Sequence, residues 1–228
     1  MNILVIDTAT EACSVALEVN KQTFHRFEIC PQQHSQRILP MIDEVLTEAN
    51  ISLQEVDVLG FGRGPGSFTG VRIATGVIQG LALGAELKVV GISTLATMAQ
   101  QAFMQHQGNH FTAVIDARMA EVYFGQYQVQ QNVMTLMGEE QVLAPEKCAQ
   151  IFSDNGKTLG VGTGWQAYPQ LNNTKNIEVL ADILYPNALY MLPLAKVLIK
   201  AEKAVAVEDI QPVYLRDKVT WKKLPGRE

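Results

Sequence analysis

At 228 residues, 47% of them hydrophobic, the chain is long enough to bury one large core or two small ones. Its net charge of −5 argues against a freestanding nucleic-acid binder, whose footprint is basic. Cys13, Cys30 and Cys148 are odd in number and widely spaced, which argues against a disulfide framework or a zinc knuckle and fits a reducing cytoplasm.

The opening MNILVID has no basic flank or small-residue cleavage site, and no apolar run approaches the ~18 residues of a membrane span. A cytoplasmic protein without membrane contact is expected. The apolar period switches repeatedly between two and 3.6, the pattern of an α/β architecture. Asn2 to Asp7 reads as a buried strand, Cys13 to Val19 as a second, and Thr23 to Ile29, after the turn Asn20-Lys21-Gln22, as a third. From Ser35 to Asn50, Ile38, Leu39, Ile42, Val45, Leu46 and Ala49 share one face of a helix that Pro40 should bend. Val56 to Phe61 predicts a strand, Gly70 to Gly84 a helix, Lys88 to Ile92 a strand and Ser93 to Gln105 a helix, before Gly108-Asn109 breaks the chain.

After that break the opening recurs. Val5-Ile6-Asp7 leads into ATEACSVAL, and Val114-Ile115-Asp116 leads into ARMAEVYFGQY. Two halves that each begin strand, acidic turn, strand point to a duplicated unit with a cleft between the copies, residues 1–106 and 107–228. Three matching residues also arise by chance in a β-rich chain, so the repeat alone leaves duplication open. The second half continues with a strand from Thr158 to Val161, a turn at Gly162-Thr163-Gly164, and a helix from Ala188 to Glu202.

FGRGPGSFTGVRIATGVIQGLALG, residues 61–84, carries seven glycines. It is no Walker A loop, since Val71 and Arg72 follow Gly70 where Lys and Ser or Thr are needed. The dinucleotide fingerprint also fails, with Thr69 where a third glycine belongs and the turn after a later strand. Arg63-Gly64-Pro65-Gly66 reads better as a sharp strand-to-helix turn, although N–H groups at the helix start could still meet an anion. Gly76, Gly80 and Gly84 form one stripe, each costing roughly 1 kcal/mol of helix propensity relative to alanine. Close approach of another helix would offset that, and apolar residues on both sides of the stripe predict broad burial, in the fold or at an interface.

IDTATEACSVAL, HSQRILPMIDEVL, GRGPGSFTGVRIATGVIQGLALGAEL, VIDARMAEVYFGQY, VGTGWQAY and PVYLR together resemble the bacterial TsaB (YeaZ) family over nearly the whole chain. The resemblance implies an α/β fold of two related lobes, of the actin, hexokinase and Hsp70 superfamily. It implies a role in making N6-threonylcarbamoyladenosine at position 37 of tRNA as a non-catalytic subunit. The catalyst would be the paralogue TsaD, with the ATPase TsaE as a further partner, so that ATP and metal belong to those subunits and this chain has no cofactor of its own. A heterodimer through the two first-lobe helices is expected, with His34, Ile38, Ile42, Val45, Gly70, Gly76, Val77, Gly80 and Gly84 at the interface, and a homodimer when the chain is alone.

Candidate chemistry beyond that is thin. Where the sister family carries metal-holding histidines, this chain has Val90-Gly91-Ile92-Ser93-Thr94-Leu95. His106 and His110 have an HxxxH spacing, but Gly108 and Asn109 interrupt the helix it needs. Asp7, Thr8 and Thr10 match the superfamily's first phosphate turn in residue type, as a vestigial nucleotide site; Arg118 and Met119 stand where a small second turn is wanted, and Trp165 beside the third reads as core. A rival reading is a glycoprotease-like hydrolase with Ser67 or Thr69 as nucleophile. Both are equally good helix caps, and His25, His34, His106 and His110 cannot be assigned as a base from sequence. From Val213 to the end five basic residues face two acidic ones. Arg216, Lys218, Trp221, Lys222 and Lys223 are therefore candidates for contact with tRNA or a partner, against a solvated terminus.

Overall fold

Two five-stranded sheets of the same plan make up the fold, in a computed structural model that describes residues 1–151, 157–173 and 176–216. The first half contains β1 (Ile3–Asp7), β2 (Ala12–Val19), β3 (Gln22–Ile29), α1 (His34–Ala49), β4 (Val58–Gly64), α2 (Phe68–Ala85), β5 (Lys88–Ser93) and α3 (Thr94–His106). The second contains β6 (His110–Asp116), β7 (Val122–Gln130), β8 (Val133–Leu143), α4 (Pro145–Ile151), β9 (Thr158–Val161), α5 (Gly164–Ala167), β10 (Ile177–Val179) and α6 (Met191–Lys200). The sheet orders are β3-β2-β1-β4-β5 and β8-β7-β6-β9-β10. In each, three antiparallel strands are followed by two parallel ones, so Asp7 and Asp116 end equivalent central strands. The Val-Ile-Asp repeat is thus the visible remnant of a duplicated topology.

Alternation along the central strands sorts the core into layers. β1 is buried on both faces, which is why it reads as a continuous apolar run. Leu4 and Ile6 face α1 and α2, together with Ile38, Val45, Ala74 and Ile78. Ile3 and Val5 face the other way into a second cluster that spans both lobes, joining Val90 and Ile92 to Leu95 and Met98 of α3, Phe111 and Tyr127 of the second sheet, and Met191 and Ala195 of α6. The lobes share this core. Beyond it, Val114, Phe124, Cys148 and Trp165 close the far side of the second sheet.

Sequence and structure part in three places. Strand β8, helices α4 and α5 and strand β10 carry no clean period, and the sequence predicts none of them. After α6 the chain returns to the first lobe: Val205 pairs with Val89, and Ile210 is buried among first-lobe residues. Residues 205–216 therefore do not stay with the second sheet, because β5 offers them an open edge. Finally, α2 does reach the length and apolarity of a membrane span, contrary to the run-length reading; 33% of it is buried. Its packing on β4 through Val71, Ala74, Ile78 and Ala82 makes it a lobe helix with one open face.

Candidate functional site

A cleft of about 470 Å³ opens between the lobes, lined by the two hairpin turns, the starts of α1 and α2, and the C-terminal segment. Three elements around it are where the resemblance would put a nucleotide. At the first turn Asp7 is fully buried: its Oδ1 accepts from the Ala9 N–H at 2.9 Å, and its Oδ2 has no partner. Burial, only partly offset by the Ala9 bond, raises its pKa to about 7. It is a turn carboxylate held away from the cleft. Thr8 Oγ1 donates to the Gly70 carbonyl at 2.7 Å, and Thr10 Oγ1 accepts from the Ala12 N–H at 3.3 Å.

The start of α2 is pressed against this turn. The Ser67 N–H donates to the Ala9 carbonyl at 2.7 Å, and a Cβ on Gly66 or Gly70 would lie 2.3 or 2.0 Å from the carbonyl oxygens of Ala9 and Thr8. Those two glycines serve close backbone approach, and the space a phosphate would need against the turn is filled by protein. Ser67 Oγ accepts from the Gly70 N–H at 3.3 Å, making it the helix cap.

The second turn is closed by its own charges. Arg118, Met119 and Ala120 occupy the left-handed region in succession, at φ of 62°, 57° and 58°. The Arg118 guanidinium donates to Asp116 Oδ2 at 2.7 Å and, across the cleft, to Glu11 Oε1 at 3.1 Å. Asp116 also accepts from the Arg118 N–H and from Tyr168 Oη. At the third turn Trp165 is buried, with its indole N–H on the Val161 carbonyl. All three turns are thus occupied by the chain's own contacts.

The residues expected at a partner interface divide. Ile38, Ile42 and Val45 are 0–4% exposed and fill the first-lobe core, so they are corrected from interface to core. Their three- and four-residue spacing marks the face that the sheet covers. Gly70 is likewise buried against Thr8, and His34 is a buried residue on the cleft wall with Nε2 unpartnered. Val77 is half-buried. Gly76, Gly80 and Gly84 lie on the open face of α2, where an added Cβ would meet nothing within 4 Å, and Leu83 beside them is 63% exposed.

Arg216 is also reassigned. It is committed to Glu121 Oε2 through Nε and Nη2, at 3.0 and 2.6 Å, and to the Arg118 carbonyl at 3.3 Å. Lys218, Trp221, Lys222 and Lys223 lie outside the described residues. His106 ends α3 and pairs with Asp182 at 2.7 Å, while His110 begins β6, so the HxxxH pair sits on two different elements. Among the described residues no three His, Cys, Asp or Glu side chains converge as a metal site.

Two groupings had no signal in the sequence. Phe68, Arg72 and Tyr214 form an exposed cluster, with the guanidinium carbon 3.5 Å from the Phe68 ring centre and Nε 3.2 Å from Tyr214 Oη. Between the lobes, Glu140 Oε1 accepts from Ser93 Oγ and from Tyr127 Oη, the latter at 2.5 Å. Each joins residues far apart in the chain.

Doubled sheets of this topology around a cleft define a two-lobed α/β protein, its cleft crossed by the protein's own Arg118–Glu11 bond. The family model of TsaD, tRNA N6-adenosine threonylcarbamoyltransferase, matches residues 27–223. The chain is 51% identical, over the full length of both proteins, to the tRNA threonylcarbamoyladenosine biosynthesis protein TsaB of Escherichia coli K12. It is 50% identical to TsaB of Haemophilus influenzae, over all of this chain and 99% of that one. A solved structure of YeaZ from Pseudomonas aeruginosa superposes with a TM-score of 0.89 at 44% identity, covering 94% of this chain and 99% of that one. The chain belongs to the TsaB family.

Proposed function

We propose that this chain is a non-catalytic subunit in the synthesis of N6-threonylcarbamoyladenosine at position 37 of tRNA. It works in the cytoplasm as a heterodimer with a TsaD-type transferase and with a TsaE-type ATPase, which bring the metal and ATP, and it self-associates when alone. Membership of the TsaB family supports the pathway. One observation carries the non-catalytic reading: the cleft is spanned by Arg118 and its first turn is packed against Gly66 and Gly70, while the open face of α2 leaves Gly76, Gly80 and Leu83 to an incoming surface. A smooth, open helix face of this kind allows close approach of another element.

The test is tRNA modification by the reconstituted partner set, with and without this chain. Modification is expected to require the chain, and Asp116→Asn, His106→Ala and His110→Ala are expected to stay within about threefold of wild type, since none touches a reacting group. A loss of several orders of magnitude with the complex still assembled would overturn the reading. Gly76→Leu and Gly80→Leu should block both associations in sedimentation while the monomer stays folded. We also assign the basic residues Lys218, Lys222 and Lys223, with Trp221, to contact with tRNA or the ATPase. Truncation after Arg216 should then weaken tRNA binding by the complex and flatten its salt dependence.

A further inference from the structure

The segment after α6 crosses from one lobe to the other over the mouth of the cleft. It begins on the first lobe, where Val205 and Val89 exchange two backbone hydrogen bonds of 2.9 Å and the Ile210 side chain is buried. The Val213 N–H then donates to the Arg63 carbonyl at 2.7 Å, and the segment lies so close to β4 that a Cβ on Gly64, whose φ is +97°, would come within 2.8 Å of the Val213 carbonyl oxygen. Tyr214 leans on Phe68 and Arg72 of α2. Two residues later Arg216, with only 17% of its side chain exposed, grips the second lobe's hairpin through Glu121 and the Arg118 carbonyl.

What Arg216 grips is the strained part of the fold. Residues 118–120 hold three consecutive left-handed conformations without a glycine, which persist only where the surroundings over-determine them. Inside the turn, the Ala117 N–H donates to the Glu121 carbonyl at 2.9 Å and the Glu121 N–H to the Arg118 carbonyl at 3.1 Å. Arg216 adds a charged anchor to both ends of that turn, the Glu121 carboxylate and the Arg118 carbonyl. From the same turn Arg118 reaches Glu11 on the first hairpin.

We propose that residues 205–216 are a strap that latches the second hairpin turn to the first lobe, with Arg216 as the latch, so that the position of this turn at the mouth of the cleft is set by this intramolecular contact and not by a ligand. The arrangement is local to the chain and independent of any partner. It gives Arg216 a conformational role, distinct from the basic residues after it.

Hydrogen–deuterium exchange and an inter-lobe distance test it on the full chain. Arg216→Ala and Glu121→Gln should each raise exchange of amides 117–121 by about tenfold or more, the expected sign of a local opening equilibrium, and leave α1 and β1 unchanged. The charge swap, Arg216→Glu with Glu121→Arg, should recover part of the protection, since it restores the ion pair but leaves the Arg118 carbonyl without its donor; a merely nearby side chain would recover none. Spin labels on cysteines substituted for exposed Gln32 on the first lobe and Met119 in the turn should give one narrow distance in the otherwise wild-type chain and a broader, longer one with Arg216→Ala. Should Arg216→Ala fail to fold, Glu121→Gln and the swap answer the same question. Unchanged turn exchange in the folded variants, or a distance distribution already broad with Arg216 intact, overturns the latch.

Discussion

The guanidinium of Arg118 lies 3.1 Å from the carboxylate of Glu11, joining hairpin turns that are 107 residues apart in sequence and face each other across the cleft. Arg118 is 74% exposed and Glu11 38%, so the pair is solvent-screened and contributes about 1 kcal/mol or less. Its importance is spatial, since it bridges the two turns that line the cleft. Magnesium ATP at millimolar concentration is therefore expected to leave the melting temperature of the isolated chain unchanged. A rise of more than about 2 °C would mean that the cleft takes the nucleotide after all.

The glycines of residues 61–84 should separate into two classes by chemical denaturation. Gly66→Ala and Gly70→Ala drive a Cβ into backbone carbonyls that cannot move without breaking the first turn, and each should cost about 3 kcal/mol or more. Gly76→Ala and Gly80→Ala meet nothing and gain helix propensity, so the isolated chain should be stabilised by up to about 1 kcal/mol. Equal destabilisation at all four sites would contradict the division between packing glycines and an open stripe.

Asp7 makes stability fall with rising pH. Its pKa of about 7 in the folded chain lies above its ordinary value of 3.8, so the native state holds a proton that the unfolded state has already lost. The stability that protonation provides is full below about pH 4 and is lost as pH rises toward 7, a change on the order of 4 kcal/mol. Asp7→Asn keeps an acceptor for the Ala9 N–H and cannot ionise. Relative to it, wild type should lose stability between about pH 4 and 7 in urea titrations, the window between 3.8 and about 7. Parallel curves for the two proteins would show that Asp7 is not buried neutral.

Glu140 and Tyr127 should be energetically coupled. Tyr127 is 1% exposed, and with Ser93 it satisfies a single Glu140 oxygen. Tyr127→Phe should cost about 1 kcal/mol, whereas Glu140→Ala strands two buried hydroxyls and should cost about 2–3 kcal/mol. A double-mutant cycle is expected to give less than the sum of the two. Additivity would show that the hydroxyl and the carboxylate do not interact.

Much of the fold was legible because local chemistry announces it. The apolar run of β1, the alternation of β2 and the three- and four-residue steps of α1 are properties of short stretches, and each appears within a residue or two of where its period ends. The seven-glycine stretch identified the family and the strand-to-helix turn. The sequence could not divide those glycines by role, because Gly70 and Gly76 differ only in what stands opposite them: the Thr8 carbonyl in one case and open space in the other. For the same reason Ile38, Ile42 and Val45 could be read as an apolar face without showing which surface covers it. The charge of Arg216 was plain, but its partner Glu121 lies 95 residues away, and the neutralising pair forms only when the strap crosses the lobes. Composition and period thus determined the elements, and the resemblance of short motifs the family, since all of these are properties of neighbours along the chain. Tertiary structure alone decided which glycines are filled space, which charges are free and whether the cleft is open, since each depends on residues that meet only after both lobes have folded.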